Sequence, residues 1–147
     1  MTESLDLQPG HRVLDVGTGS GYQAALLALL GAQVFSIERV AELSAAAAAT
    51  LADLGIQSPV LRVGDGSVGY SPEAPFDRIL VAAGAPRVPG SLLDQLKENG
   101  RLVMPIGRAG LQILVVVRRC AGRTIETPIV PCRFVKLIGA EAWDVRC

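Results

Sequence analysis

Between residues 13 and 30 the chain reads Val13-Leu14-Asp15-Val16, then Gly17-Thr18-Gly19-Ser20-Gly21, then Tyr22-Gln23-Ala24-Ala25-Leu26-Leu27-Ala28-Leu29-Leu30. Four β-prone residues run into a turn with glycine at every second position, and the turn opens onto a strongly helix-forming run. Strand, tight turn, helix is the reading this order imposes. Glycines let the backbone approach a ligand closely, and the start of a helix offers unpaired N–H groups. Two ligand classes use such a junction: dinucleotides and S-adenosylmethionine (SAM).

The fine spacing separates them. A dinucleotide fingerprint reads G-x-G-x-x-G. Here the third glycine comes one position early, and Tyr22 stands where that motif wants glycine. Asp15 lies two residues before the first glycine, where a carboxylate repels a pyrophosphate but suits a cationic amino group and a sulfonium. Glu38 ends a second apolar run, Val34-Phe35-Ser36-Ile37-Glu38-Arg39, placed to accept hydrogen bonds from both hydroxyls of a ribose. The plainer reading of Glu38 is a solvated carboxylate or an N-cap for a helix starting near Val40. Gly64-Asp65-Gly66 follows a third apolar run. Glycine on both sides leaves the Asp65 carboxylate free to accept from an adenine amino group, although turn chemistry alone also explains an aspartate there. Together these residues favour SAM over a nicotinamide dinucleotide. An NAD-dependent oxidoreductase is the disfavoured reading.

The 147 residues suggest one domain, spanning the whole chain, and half of them are hydrophobic, enough for a substantial core. Strands are expected over 12–16, 33–37, 60–63, 78–82 and 101–105, and helices over 20–30, 40–54 and 91–97. Such alternation, with nearly all-apolar strands, argues for a parallel sheet covered on both faces. The runs 111–120 and 124–135 flank Ala121-Gly122-Arg123, an antiparallel hairpin signal. The expected fold is therefore α/β: a Rossmann-like core of the class I SAM-dependent methyltransferase pattern, mostly parallel, with a C-terminal antiparallel hairpin.

Fourteen basic residues balance fourteen acidic ones, so no bulk charge points to nucleic acid or an anionic membrane. No apolar run approaches the length of a membrane span, and the polar, acidic start Met1-Thr2-Glu3-Ser4-Leu5-Asp6 is unlike a secretion signal. Cys120, Cys132 and Cys147 form no metal spacing, and their odd number suits reduced thiols in a cytoplasm. Cys120 and Cys132 could face each other across the hairpin, but both read as small core or edge residues. No metal site is expected. His11, the one histidine, reads as a surface residue, and hydrolase readings lack a Ser–His–acid set. Trp143 reads as packing. The fourth strand ends in the small, apolar Val81-Ala82-Ala83-Gly84-Ala85-Pro86, without the Asn or Asp, prolines and aromatic of enzymes that methylate base amino groups.

Four stretches resemble the protein-L-isoaspartate O-methyltransferase family. The segment from Val13 to Gln23 is similar to its first SAM motif, and Val34-Phe35-Ser36-Ile37-Glu38-Arg39 to its second-strand motif. Gly64-Asp65-Gly66, followed by Gly69-Tyr70 and Ala74-Pro75-Phe76-Asp77, is the most family-specific part, and it continues through Leu92-Leu93-Asp94-Gln95-Leu96-Lys97-Glu98-Asn99-Gly100-Arg101-Leu102-Val103-Met104-Pro105-Ile106-Gly107. Arg133-Phe134-Val135-Lys136-Leu137-Ile138-Gly139 matches the last strand, with Lys136 where proline is usual. The resemblance covers nearly the whole chain. It implies SAM as cofactor, held by Asp15, Gly17, Thr18, Gly19, Gly21, Glu38, Arg39, Asp65 and Gly66. It also implies methyl transfer to the free carboxylate of L-isoaspartyl residues in damaged proteins, a repair reaction. In that chemistry the nucleophile is the substrate's own ionised α-carboxylate, so in-line positioning in a dry site matters more than a general base.

One departure bears on activity. The family carries, before its first SAM strand, helices and a Gln-Thr-Ile-Ser-like segment that covers SAM and helps hold the isoaspartyl carboxylate. No matching segment occurs in this sequence, so no catalytic residue is assigned. The resulting expectation is a SAM-binding core without its substrate lid, with weak turnover, the alternative being a catalytically impaired SAM-binding or interaction module. Apolar residues near Val16, Tyr22 and 81–85 are then expected to be open, promoting self-association.

Overall fold

The computed structural model describes residues 1–144. Its elements are helix α1 (Thr2–Leu5), strand β1 (Arg12–Val16), α2 (Tyr22–Leu29), β2 (Gln33–Glu38), α3 (Ala41–Asp53), β3 (Val60–Val63), β4 (Phe76–Val81), α4 (Gly90–Asp94), β5 (Leu96–Arg108), β6 (Leu111–Cys120) and β7 (Arg123–Cys132). One sheet holds all seven strands in the order β3-β2-β1-β4-β5-β6-β7. Neighbours from β3 to β5 are parallel, and β5–β6 and β6–β7 are antiparallel. The chain winds outward from β1 to β3, then returns to the other side of β1 to start β4. That reversal opens a crevice beyond the C-terminal ends of β1 and β4.

Side chains alternate between faces along each strand, and here both faces are covered. Val13, Val34, Leu80, Val103 and Val116 pack on one face with Leu5 of α1 and Ala24 and Leu27 of α2. Leu14, Ile79, Leu102, Met104 and Val117 pack on the other with Phe76, Leu92 and Leu137. Burying such strands on both sides is why they read as continuous apolar runs. Edge strand β7 is exposed along nearly its whole length, and Pro128 and Pro131 deny it a full row of edge donors. No helix among the described residues is long and apolar enough to cross a membrane.

Three local expectations are corrected. The helix expected over 91–97 ends at Asp94, because Leu96 already pairs with Phe76 in the sheet. Asn99, with φ of 62°, and Gly100 then shift the register before Arg78 meets Arg101. Residues 133–139 do not form a last strand. Strand β7 follows β6 only to the Gln112–Cys132 pair, and β6 itself begins at Leu111, leaving no strand to pair with. The Gln112 side chain catches Phe134 instead, accepting its N–H at 2.8 Å, and the chain crosses the C-terminal edge of the sheet. Cys120 and Cys132 do not face each other: they pair with Arg123 and Gln112 at opposite ends of the hairpin, and both are free thiols. Cys147 lies outside the described residues.

Candidate functional site

Beyond Val16 the chain turns through Gly17 (φ 94°), Gly19 (φ 53°) and Gly21 (φ 85°), and α2 begins at Tyr22. Three positive φ angles in five residues explain the alternating glycines. The Gly17 N–H donates to the Ile37 carbonyl at 2.8 Å, tying the turn to β2. Beneath it, Ser36 Oγ donates to Asp15 Oδ2 at 2.7 Å and lies 2.6 Å from Thr18 Oγ1. All three residues are buried. Asp15 Oδ1 has no partner among the described residues. Burial pushes the Asp15 carboxyl up to about 7; the Ser36 bond opposes the shift and the nearby Glu38 charge adds to it.

Glu38 closes β2 from the other side. Its Oε2 accepts from the Gly19 N–H at 3.0 Å and its Oε1 from the Val40 N–H at 3.0 Å. At 7% exposure it is not a solvated carboxylate. It fastens the glycine turn to the start of α3, and each oxygen keeps a second acceptor site. Asp65 is likewise engaged. Its Oδ1 accepts from the Ser67 N–H at 2.8 Å and the Ser67 hydroxyl at 2.7 Å, and its Oδ2 from the Ala140 N–H at 2.8 Å. The expected free carboxylate is therefore corrected to one that anchors the 133–144 crossing. Burial works to raise its pKa, but the bonds from Ala140 and Ser67, helped by Arg39, outweigh burial and hold it below the usual range.

A cavity of about 360 Å³ opens at this edge, with Gly17, Gly19, Glu38 and Gly66 on its walls and residues 135–138 across it. A second, of about 620 Å³, adjoins it between Arg39, Asp65 and the 138–144 segment. Of the nine residues expected at a cofactor, Gly17, Gly19, Glu38, Arg39 and Gly66 line the first cavity, and Asp65 lines the second with Arg39. Asp15 and Thr18 lie behind the lining. Gly21 faces α3: a Cβ there would come 3.2 Å from Ala47 Cβ, so this glycine serves helix packing.

The 133–144 crossing is the part of the site that sequence reasoning missed. The Gly84 N–H donates to the Val135 carbonyl at 2.7 Å, and the Gly84 carbonyl accepts from Leu137 N–H at 2.8 Å and Trp143 Nε1 at 3.0 Å. Gly84, inside the small run ending β4, was one local signal: a side chain there would press on the Gln112 amide. Trp143 is half-buried and lines the larger cavity, with the Lys136 ammonium 5.3 Å from its ring centre. The crossing also overturns the expected openness at this edge, because Val16, Val81, Ala83 and Ala85 are buried; Tyr22 alone of those residues is strongly exposed. His11 sits away from the cavities, where its Nδ1 accepts from the Gln8 N–H.

Residues 1–142 match the family model described as protein-L-isoaspartate(D-aspartate) O-methyltransferase. The chain belongs to this family. It is 52% identical over 144 residues to a protein-L-isoaspartate O-methyltransferase of Koribacter versatilis (strain Ellin345), covering 98% of this chain and 65% of that one. A Syntrophus aciditrophicus (strain SB) protein of the same name is 50% identical, with 98% and 67% covered. The chain thus spans about two thirds of the length of these curated relatives. Among solved structures, a protein-L-isoaspartate O-methyltransferase superposes with a TM-score of 0.85 at 29% identity, over 96% of this chain and 46% of that one. A Plasmodium falciparum protein described as a putative member, in complex with S-adenosyl-L-homocysteine, gives 0.76 at 29% identity, over 92% and 68%.

Proposed function

We propose that the crevice at the ends of β1, β2 and β4 binds SAM and that the protein methylates the free carboxylate of L-isoaspartyl residues in damaged proteins. The observation that carries this reading is Glu38: fixed by the Gly19 and Val40 N–H groups, it keeps two acceptor sites at the cavity wall, matched to the paired hydroxyls of a ribose. The remaining lining fits the rest of that ligand. Gly17 and Gly19 admit close backbone approach, and a side chain at Gly66 would collide with Val16. Asp65 and Arg39 border the larger space, on the adenine side of the reading. The S-adenosylhomocysteine held by the Plasmodium relative supports the same choice of ligand.

When bound, the cofactor supplies a methyl group already activated on a sulfonium. The work left to this chain is placement. Glu38 orients, the glycine turn lets the ligand sit close to backbone, and the 135–138 crossing walls one side of the cavity. No general base is asked of it, because an α-carboxylate is ionised at neutral pH. Cys120 and Cys132 as free thiols fit a cytoplasmic setting. Of the surface expected to drive self-association only Tyr22 is strongly exposed, and light scattering over a concentration series tests what remains of that reading.

Calorimetry with S-adenosylhomocysteine and NAD tests the cofactor, and labelled methyl transfer to an isoaspartyl peptide and its aspartyl twin tests the substrate. The expected result is binding of S-adenosylhomocysteine but not NAD, with label entering only the isoaspartyl peptide, and entering it weakly. Tighter binding of NAD, or equal labelling of both peptides, overturns the reading. Binding without labelling would leave the cofactor assignment standing and favour the alternative, a catalytically impaired SAM-binding module.

A further inference from the structure

Register sets Arg78 of β4 beside Arg101 of β5, and Arg101 opposite Arg118 of β6. Residues paired in this way share a face of the sheet. The next row on that face, Leu80, Val103 and Val116, is apolar and lies in the core that Leu5 of α1 joins. Like charges directly opposite destabilise a sheet, so three guanidinium groups in a row need counter-charge.

The end of α1 and Asp6, which follows the helix, supply part of it. Arg78 donates to the carbonyls of Leu5 at 2.6 Å and Asp6 at 2.9 Å, and Arg101 pairs with the Asp6 carboxylate at 3.0 Å. Burial lowers the Arg78 pKa, Asp6 pulls it back and Arg101 pushes it down again. Arg118 lies beyond this arrangement. It is exposed, and its side chain makes no hydrogen bond or ion pair among the described residues. Its neighbour Arg119 is occupied elsewhere, donating to the Leu93 and Leu96 carbonyls at 3.0 Å. The row borders a cavity of about 290 Å³ that also takes in Asn99 and Cys120. Asp6 is the one acidic residue on its wall, set against four arginines. The cavity sits near the start of β4, at the sheet edge opposite the cofactor crevice.

We propose that this cavity binds a compact multivalent oxyanion, bearing phosphate or carboxylate groups, held by Arg101 and Arg118. Guanidinium forks pair two bonds at a time with either group, and neighbouring strands under ~5 Å apart suit a ligand whose oxyanions lie close together. Such a ligand supplies the charge that the row lacks, and the site is independent of the cofactor reading. Asp6 competes for Arg101, so it limits affinity.

The test titrates pyrophosphate and citrate in turn into the full chain, each against sodium chloride of equal ionic strength, reading heat of binding and thermal midpoint. Saturable binding of at least one is expected, and the stronger arm names the group. Arg118→Ala, which removes no hydrogen bond or ion pair among the described residues, should weaken it about tenfold, the scale of one charge-assisted hydrogen bond. Asp6→Asn should tighten it. Alkylation of Cys120, read by peptide mapping, should slow with the anion while that of Cys132 does not. A response that chloride reproduces, or that is unchanged in Arg118→Ala, overturns the proposal.

Discussion

Ser36 Oγ donates to Asp15 Oδ2 at 2.7 Å, between residues that are direct register partners on β2 and β1. The same hydroxyl lies 2.6 Å from Thr18 Oγ1, so one buried group joins two strands to the glycine turn. Ser36→Ala should cost about 1–3 kcal/mol, because it leaves a buried carboxyl without its bond. Ser36→Thr keeps the hydroxyl and should retain part of that stability. Denaturant midpoints decide, and an unshifted midpoint in Ser36→Ala would show the contact to be idle.

Asp15 carries a pH signature. Its folded carboxyl is raised from 3.8 to about 7, so between those values the folded state keeps a proton that the unfolded chain releases. Stability from this group therefore falls as pH rises from 3.8 to about 7, by on the order of 4 kcal/mol, and stays lost above. Asp15→Asn cannot ionise and should gain on the wild type over that window. Urea midpoints at pH 4.5 and 7.5 measure the difference. A constant gap between the two proteins would refute the assignment.

Glu38→Gln and Asp65→Ala should each weaken S-adenosylhomocysteine binding by about 1–3 kcal/mol, the scale of a hydrogen bond to a charged group. Hydrogen exchange separates their causes. Asp65→Ala should speed exchange at Ala140, whose N–H it holds at 2.8 Å, whereas Glu38→Gln should leave that amide protected. Unaltered affinity in both variants would remove these carboxylates from the site.

Gly139→Ala tests the crossing by crowding. An added Cβ would run into Asp65 Oδ1 and Ser67 Oγ, and overpacking of this kind costs about 1–3 kcal/mol. Exchange at Ala140 and Glu141 should quicken together, since Glu141 N–H donates to Ser67 Oγ at 3.1 Å. Protection equal to wild type at both would mean that the segment is held elsewhere.

Much of this was local enough to be written in the chain. Apolar runs with glycine near at least one end mark β1, β2 and β3, and the run of alanines from Ala45 marks the middle of α3, because strand period and helix propensity act between near neighbours. Glycine at 17 and 19 permits the positive φ angles found there. Tertiary structure decided what those residues face. Asp15 and Asp65 both read as ligand-facing acids, yet one lies under the turn with Ser36 and the other holds Ala140, 75 residues away. Gly21 reads as part of the ligand turn, and Ala47 of α3 claims it. Residues 133–139 had a strand's composition but no open strand to join, so they crossed to Gly84. Periodicity records which residues want burial; which partner buries them depends on strand order and register, which only the assembled sheet supplies.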